Sequence, residues 1–267
     1  MTSKRFSVVG NPISHSLSPA IHMAAYKQLG LNWTYEKHEV HSGSLESFIE
    51  SHAGEFAGLS VTMPLKLEAA NLATSKDPIV SLLGVANTLL LSEGNTSAFN
   101  TDVFGITQAL TKCWKQDIET AGIVGAGATA RSALLAIYDK APKSEVSVYV
   151  RKTSDTKALS HLADALDMTL RFEDLEDFGT QHDLTINTAS AAALPKDSAV
   201  QQGWLLDVNY AKADSEALAI FDSAKVVSGK DMLLWQAIAQ IRLFTSLDAT
   251  LELPNEDEVL QAMVASL

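Results

Sequence analysis

Gly125-Ala126-Gly127-Ala128-Thr129-Ala130 is the stretch whose residue types and spacing most directly imply chemistry. It follows the apolar run Ala121-Gly122-Ile123-Val124 and opens a helical pattern, the strand–turn–helix setting that a dinucleotide fingerprint requires. In that setting Gly125 makes the tight turn, Gly127 lets the backbone approach a pyrophosphate, and Ala130 permits close helix–strand packing. Free N–H groups from Ala126 to Thr129 complement negative charge at the helix start. At the end of the next strand an NAD site usually presents an acid to the ribose hydroxyls. This sequence instead reads Val150-Arg151-Lys152. Two cations suit a 2′-phosphate, so NADP(H) is the expected cofactor. A merely solvated charged pair is the competing reading, and Asp155 would weaken a phosphate site if it faced inward.

A second candidate lies near the start, in Gly10-Asn11-Pro12-Ile13-Ser14-His15-Ser16-Leu17-Ser18-Pro19, between a strand end and a helix start. Hydroxyls there can bind an anion with help from the positive end of the helix. Taken alone, Ser18 reads as an N-cap with Pro19 at the first helical position. Ser16 has no equally obvious structural task. His15 could be a base, but a lone loop histidine is more often structural. The single Cys113 has no disulfide partner and no companion ligands, so it reads as a buried, inert thiol, and no metal site is expected.

The elements that must position these residues alternate between strand and helix along the whole chain, the α/β pattern. Strands are expected at 6–9, 31–40, 59–63 and 86–91, with helices from Ser18 to Leu29, from Ser44 to His52 and from Pro64 onward. From about Asp102 the texture changes. A helix from Phe104 to Trp114 is expected, then strands at 121–124, 146–150, 184–186 and 204–208 separated by helices, which is a doubly wound unit. The tail, 232–247 and 255–267, reads as helical. The expected organisation is a two-domain α/β protein: residues 1–101, completed by C-terminal helices in 232–267, and a Rossmann-type domain over 102–231.

Composition narrows the function classes. The chain has 267 residues, 46% of them hydrophobic, enough for a sizeable core. Its formal net charge of −12 argues against nucleic acid or an anionic membrane as a partner, since both need clustered Lys and Arg. No apolar run has the length of a membrane span, and the apolar stretch Phe6 to Val9 is too short for a signal-peptide core. A cytoplasmic protein with a small-molecule ligand is the expectation.

Several ordered motifs resemble those of the shikimate dehydrogenase family over nearly the whole chain. The Gly10–Pro19 run is similar to the family's carboxylate-binding segment, which implies that Ser16 and Ser18 hold a substrate carboxylate. Val61-Thr62-Met63-Pro64-Leu65-Lys66 resembles its catalytic-lysine segment, implying a catalytic Lys66 and substrate contact from Thr62. Ala86-Asn87-Thr88 and Asn100-Thr101-Asp102 resemble two further segments, which imply a substrate-binding Asn87 and a catalytic Asp102 paired with the lysine. Tyr210 and, in Gly229-Lys230-Asp231-Met232-Leu233-Leu234-Trp235-Gln236, Gln236 match substrate-side positions. Thr188 and Gly229 join Gly125 to Thr129, Arg151 and Lys152 on the expected cofactor side. The resemblance implies NADPH-linked reduction of 3-dehydroshikimate to shikimate, by a monomer or homodimer. It also departs from the family: Val103 replaces a usual glycine, Ser60 a frequent asparagine, and Lys212 and Glu216 common prolines, while Asn187-Thr188-Ala189-Ser190 varies the usual Asn-Ala-Thr-Ser. A quinate- or shikimate-oxidising paralogue using NAD and a non-catalytic dinucleotide-responsive module are the alternatives. Arg151 and Lys152 speak against the first, and retention of Lys66 with Asp102 speaks against the second.

Overall fold

The computed structural model describes residues 3–189, 199–210 and 220–267. Ser190, Lys212 and Glu216 lie outside them. The chain forms two compact units, Met1–Asp102 together with Leu233–Leu267, and Val103–Met232.

In the first unit, β1 (Arg5–Gly10), β2 (Thr34–Glu39), β3 (Gly58–Val61), β4 (Ser75–Lys76), β5 (Thr88–Ser92) and β6 (Asn95–Phe99) form one sheet in the order β2-β1-β3-β5-β6-β4. β1 pairs in parallel with β2 and β3, whereas β5 runs antiparallel to β3 and β6. The central strands carry near-continuous buried runs, as strands covered on both faces do. Around them lie α1 (Ser18–Gln28), α2 (Leu45–Ser51), α3 (Lys66–Leu72) and α4 (Pro78–Leu83). One core cluster joins Val9, Leu59, Val61, Leu65 and Leu89. On Phe6 an aromatic group gathers Tyr26, Trp33 and Phe244, the last stacked at 4.3 Å between ring centroids.

Helix α5 (Asp102–Ala109) starts on the last residue of the first unit's amino-terminal segment; in the second unit the strands β7 (Thr120–Val124), β8 (Glu145–Val150), β9 (Leu170–Asp174), β10 (Leu184–Asn187), β11 (Trp204–Asp207) and β12 (Val226–Ser228) follow. They form a fully parallel sheet in the order β12-β11-β10-β7-β8-β9. That is the doubly wound order of a Rossmann sheet, with the strand order reversing at β7. Helices α6 (Ala128–Lys140) and α7 (Lys157–Ala165) follow β7 and β8. Gly122 on β7 is required by contact: an added Cβ would sit 2.8 Å from the His182 ring. Two further helices close the chain, α8 (Gly229–Ser246) and α9 (Glu256–Val264). Among the described residues no helix is long and apolar enough to cross a membrane.

The structure corrects several expected boundaries. The helix expected from Pro64 begins at Lys66, because residues 62–65 form a turn closed by the Leu65 N–H to the Thr62 carbonyl at 2.9 Å. Ser18 is the first residue of α1 instead of its side-chain cap. The helix expected over 104–114 starts at Asp102 and ends at Ala109, with a separate 3-10 turn at Cys113–Lys115. Five elements were not expected from the sequence: α4, the short β4, the β6 strand that pairs with β5 in a hairpin, β9 and β12. Helix α4 is capped by the Asp77 side chain, opened by Pro78 and stopped by Gly84 at φ +66°. The hairpin turns at Glu93-Gly94, where Gly94 has φ +70°.

Candidate active site

Sheet pairing brings three chain segments to one edge of the first unit. Because β5 is antiparallel to both neighbours, the end of β3, the start of β5 and the end of β6 coincide. The Val61 N–H donates to the Asn87 carbonyl at 2.7 Å, and the Asn87 N–H to Phe99 at 3.1 Å. Lys66, Asn87 and Asp102 each sit just beyond one of those strand ends.

Their side chains meet. Lys66 Nζ donates to Asp102 Oδ2 at 2.6 Å, with the two side chains 12% and 5% exposed. Asn87 Nδ2 donates to the other carboxylate oxygen, Oδ1, at 2.9 Å. Withdrawing an ion pair from water is costly unless its lone pairs are satisfied, and here each carboxylate oxygen has its own donor. Asp102 is fixed from its backbone as well, its N–H donating to Asn100 Oδ1 at 3.0 Å. The Asn87 amide is oriented by Thr101, whose N–H donates to Asn87 Oδ1 at 2.8 Å. Gln236 reaches the same amide, accepting from Nδ2 at 3.3 Å. A carboxylate that fixes an ammonium without exhausting its three protons leaves that ammonium able to donate to an oxygen placed beside it.

The loop after β1 is tied to the Thr62 turn, with the Asn11 N–H donating to the Met63 carbonyl at 3.0 Å. Gly10 allows this approach: a Cβ there would fall 2.4 Å from Thr62 Cγ2 and 2.8 Å from the Met63 carbonyl oxygen. Ser16 Oγ accepts from the Ser18 N–H at 3.3 Å, so the cap that Ser18 does not make at its own position is supplied to it by Ser16. This gives Ser16 a structural task that its sequence position did not reveal. His15 is exposed, without a structural role in the hydrogen bonds described for this loop.

The second unit carries the nucleotide-type turn. Gly125 has φ +100°, and a Cβ on it would meet Thr188 Oγ1 at 3.0 Å. Thr188 Oγ1 itself donates to the Val124 carbonyl at 2.8 Å, fastening β10 to the turn. Gly127 is the N-cap of α6, and a Cβ there would meet nothing within 4 Å. The protein does not fill that space, which suits a pyrophosphate resting on the N–H groups of Ala126, Ala128 and Thr129. Ala130 is fully buried against the sheet. Gly229 answers to backbone packing, since a Cβ would lie 2.6 Å from the Asp207 carbonyl. Arg151 is exposed. Lys152 is exposed too, but its Nζ lies 3.3 Å from Asp174 Oδ2, a partner that no sequence pattern signals. Asp174 pairs with Val150 in the β8–β9 ladder, which sets it beside the cationic strand end. Asp155 is drawn elsewhere: Oδ1 accepts from the Lys157 N–H at 3.1 Å, and where burial pushes the Arg131 guanidinium down, the charge of Asp155 opposes that shift only in part. Tyr210 lies just after β11 in this unit, half-buried, its N–H bonded to Val208.

Sequence reasoning missed Gln240, Thr101 and Tyr35. The signal for Gln240 is an amide one turn past Gln236, flanked by the apolar Ala237, Ile238, Ala239 and Ile241.

A two-sheet α/β chain with a glycine turn on a Rossmann sheet and a buried lysine–aspartate pair has the architecture of a dinucleotide-dependent oxidoreductase. Residues 8–89 match the family model described as the shikimate dehydrogenase substrate binding domain. A shikimate dehydrogenase (NADP(+)) of Natronomonas pharaonis is 31% identical over 94% of this chain and 97% of its own length. One of Leptospira interrogans is 29% identical over 97% of this chain and 93% of its own. The crystal structure of shikimate 5-dehydrogenase from Thermus thermophilus in complex with NADP(H) and shikimate superposes with a TM-score of 0.79 at 30% identity, covering 99% of this chain and 100% of that one. The chain belongs to the shikimate dehydrogenase family.

Proposed function

We propose that this protein is a cytoplasmic, NADP-dependent shikimate dehydrogenase that reduces 3-dehydroshikimate reversibly to shikimate on the route to aromatic amino acids, working as a monomer or homodimer. The observation that carries the reading is the buried Lys66–Asp102 pair, 2.6 Å apart and held by Asn87. The relatives' activity and the nucleotide-type turn support the same assignment.

In this reading residues 1–101 with 232–267 bind the substrate, and 102–231 bind the cofactor. Gly125, Ala126, Gly127, Ala128 and Thr129 cradle the pyrophosphate, Thr188 and Gly229 shape the surrounding backbone, and Arg151 with Lys152 meets the 2′-phosphate. NADPH supplies the hydride when bound. Ser16 and Ser18 hold the substrate carboxylate, while Thr62, Asn87, Tyr210 and Gln236 meet its hydroxyls and carbonyl. Lys66 donates a hydrogen bond to the ketone oxygen, stabilises the negative charge that gathers there, and transfers a proton to complete the alcohol. Asp102 keeps the ammonium directed at that oxygen, and solvent restores the lysine's proton.

NADPH consumption followed by ultraviolet absorbance with 3-dehydroshikimate tests the assignment. Turnover is expected with NADPH in preference to NADH, and no turnover with either would defeat the reading. Lys66→Ala is expected to lower kcat by about 10²–10⁴-fold with little change in substrate KM. A near-normal kcat in that variant removes Lys66 from the chemistry.

A further inference from the structure

A buried polar chain runs from β2 through β3 to α8 and ends on Asn87. Tyr35 OH donates to Ser60 Oγ at 2.6 Å, and Ser60 Oγ donates to Gln240 Oε1 at 2.8 Å. Gln240 Nε2 donates to Thr88 Oγ1 at 2.9 Å and to the Asn87 carbonyl at 3.1 Å. Thr88 Oγ1 then donates to Asn87 Oδ1 at 3.0 Å. Gln240 is 1% exposed, Ser60 5% and Thr88 0%, so water cannot replace these partners.

The chain has a direction. A phenol and two hydroxyls each pass one donor forward, and Gln240 can accept at one end and donate at the other in only one amide orientation. The forward polarity arrives at Asn87 as a donor and therefore requires an acceptor, Oδ1. Asn87 must then turn Nδ2 toward Asp102, whose ionised carboxylate accepts only. The requirement from Asp102 and the requirement from Gln240 agree on one orientation of the Asn87 amide. Gln240 also lies one helical turn from Gln236 on α8, so the same face of that helix grips Asn87 by side chain and by main chain.

We propose that Gln240 is a positioning residue for the reaction, which fixes Asn87 and through it the Asp102–Lys66 pair from behind. The proposal rests on the dehydrogenase reading above. Gln240→Met keeps length and approximate volume and deletes both the donors and the acceptor. Gln240→Glu restores the accepted bond and one of the two donated bonds only when its buried carboxyl is protonated, since the neutral acid has one donor and one acceptor while the anion only accepts. The measurements are kcat and KM for 3-dehydroshikimate and NADPH across pH, on protein whose folded fraction is quantified by near-ultraviolet circular dichroism.

Gln240→Met is expected to lose about 10-fold or more in kcat per folded enzyme, with KM for NADPH unchanged. Gln240→Glu is expected to lose similarly at alkaline pH and to recover toward the wild-type profile as pH falls. A purely structural role predicts a lower Tm with kcat per folded enzyme intact in both variants, and that result overturns the proposal. If Gln240→Met does not fold, the pH-dependent recovery of Gln240→Glu relative to wild type decides alone, and its absence overturns the proposal. Inactive wild-type protein would instead strike at the dehydrogenase assignment, so the two failures are distinguishable.

Discussion

Lys66 and His22 are both drawn out of water in the first unit, with different consequences. Lys66 meets a carboxylate, whereas His22 is fully buried, stacked on Tyr35 at 4.0 Å between centroids, with Nδ1 2.9 Å from the Ser18 carbonyl. Burial pushes the His22 imidazole down to about 4, against an ordinary value of about 6.5. The native protein therefore keeps this group neutral at a pH where the unfolded chain protonates it. Its contribution to stability is complete above about 6.5 and is lost as pH falls toward 4, a maximum of about 3 kcal/mol. Urea midpoints at mildly alkaline pH and near pH 5 are expected to differ less in His22→Phe than in wild type. Identical pH dependence in the two proteins would show that His22 titrates normally. Much of the site was legible at this scale, because Lys66, Asn87 and Asp102 lie in short motifs with strand ends beside them. Gln240 was not, since its partners Ser60, Asn87 and Thr88 are distant in sequence and only the sheet register gathers them.

At the scale of elements, the proposed function assigns the meeting with the cofactor's ribose to the end of β8. Arg151 is exposed there, while Lys152 is shared with Asp174 at the end of the adjacent β9. Arg151 is thus the stronger candidate for a phosphate contact, and Arg151→Ala is expected to raise KM for NADPH about 10-fold or more, leaving NADH nearly unaffected. Steady-state kinetics with both nucleotides checks this, and equal changes would end the 2′-phosphate argument. Asp174 also shows why sequence alone under-reads such a site. Strand β9, Leu170-Arg171-Phe172-Glu173-Asp174, is an edge strand whose apolar–charged alternation is a strand signal that passed unread, and the pairing that sets Asp174 beside Val150 is visible only in the sheet. The parallel strands β7, β8, β10 and β11 were legible because burial on both faces leaves continuous apolar runs. Helix α4 and the turn into β6 were present as Asp77-Pro78 and Glu93-Gly94 but passed unread, as short elements fall below the length at which periodicity speaks.

At the scale of the molecule, the first unit is built from both ends of the chain. Phe244 of α8 stacks on Phe6 of β1, and a Cβ on Gly58 of β3 would approach the Phe244 ring to 3.0 Å. The turn from α8 to α9 is held by Arg242, which donates through Nε to Glu256 Oε2 at 2.8 Å, through Nη2 to Oε1, and through Nη1 to the Ala249 carbonyl at 3.1 Å. Arg242→Ala leaves a carboxylate 15% exposed without its cation and is expected to cost on the order of 3 kcal/mol, read as a lower urea midpoint. An unchanged midpoint would mean that the loop does not depend on the pair. The discontinuity has a consequence for synthesis. A nascent chain that has emerged only as far as Asp102 carries Lys66, Asn87 and the carboxylate, yet neither Gln236 nor Gln240 nor the ring that covers Phe6 has been translated. The whole of residues 103–232 must be translated before those partners exist, so all six strands of the amino-terminal sheet are made well before the helix that covers Phe6.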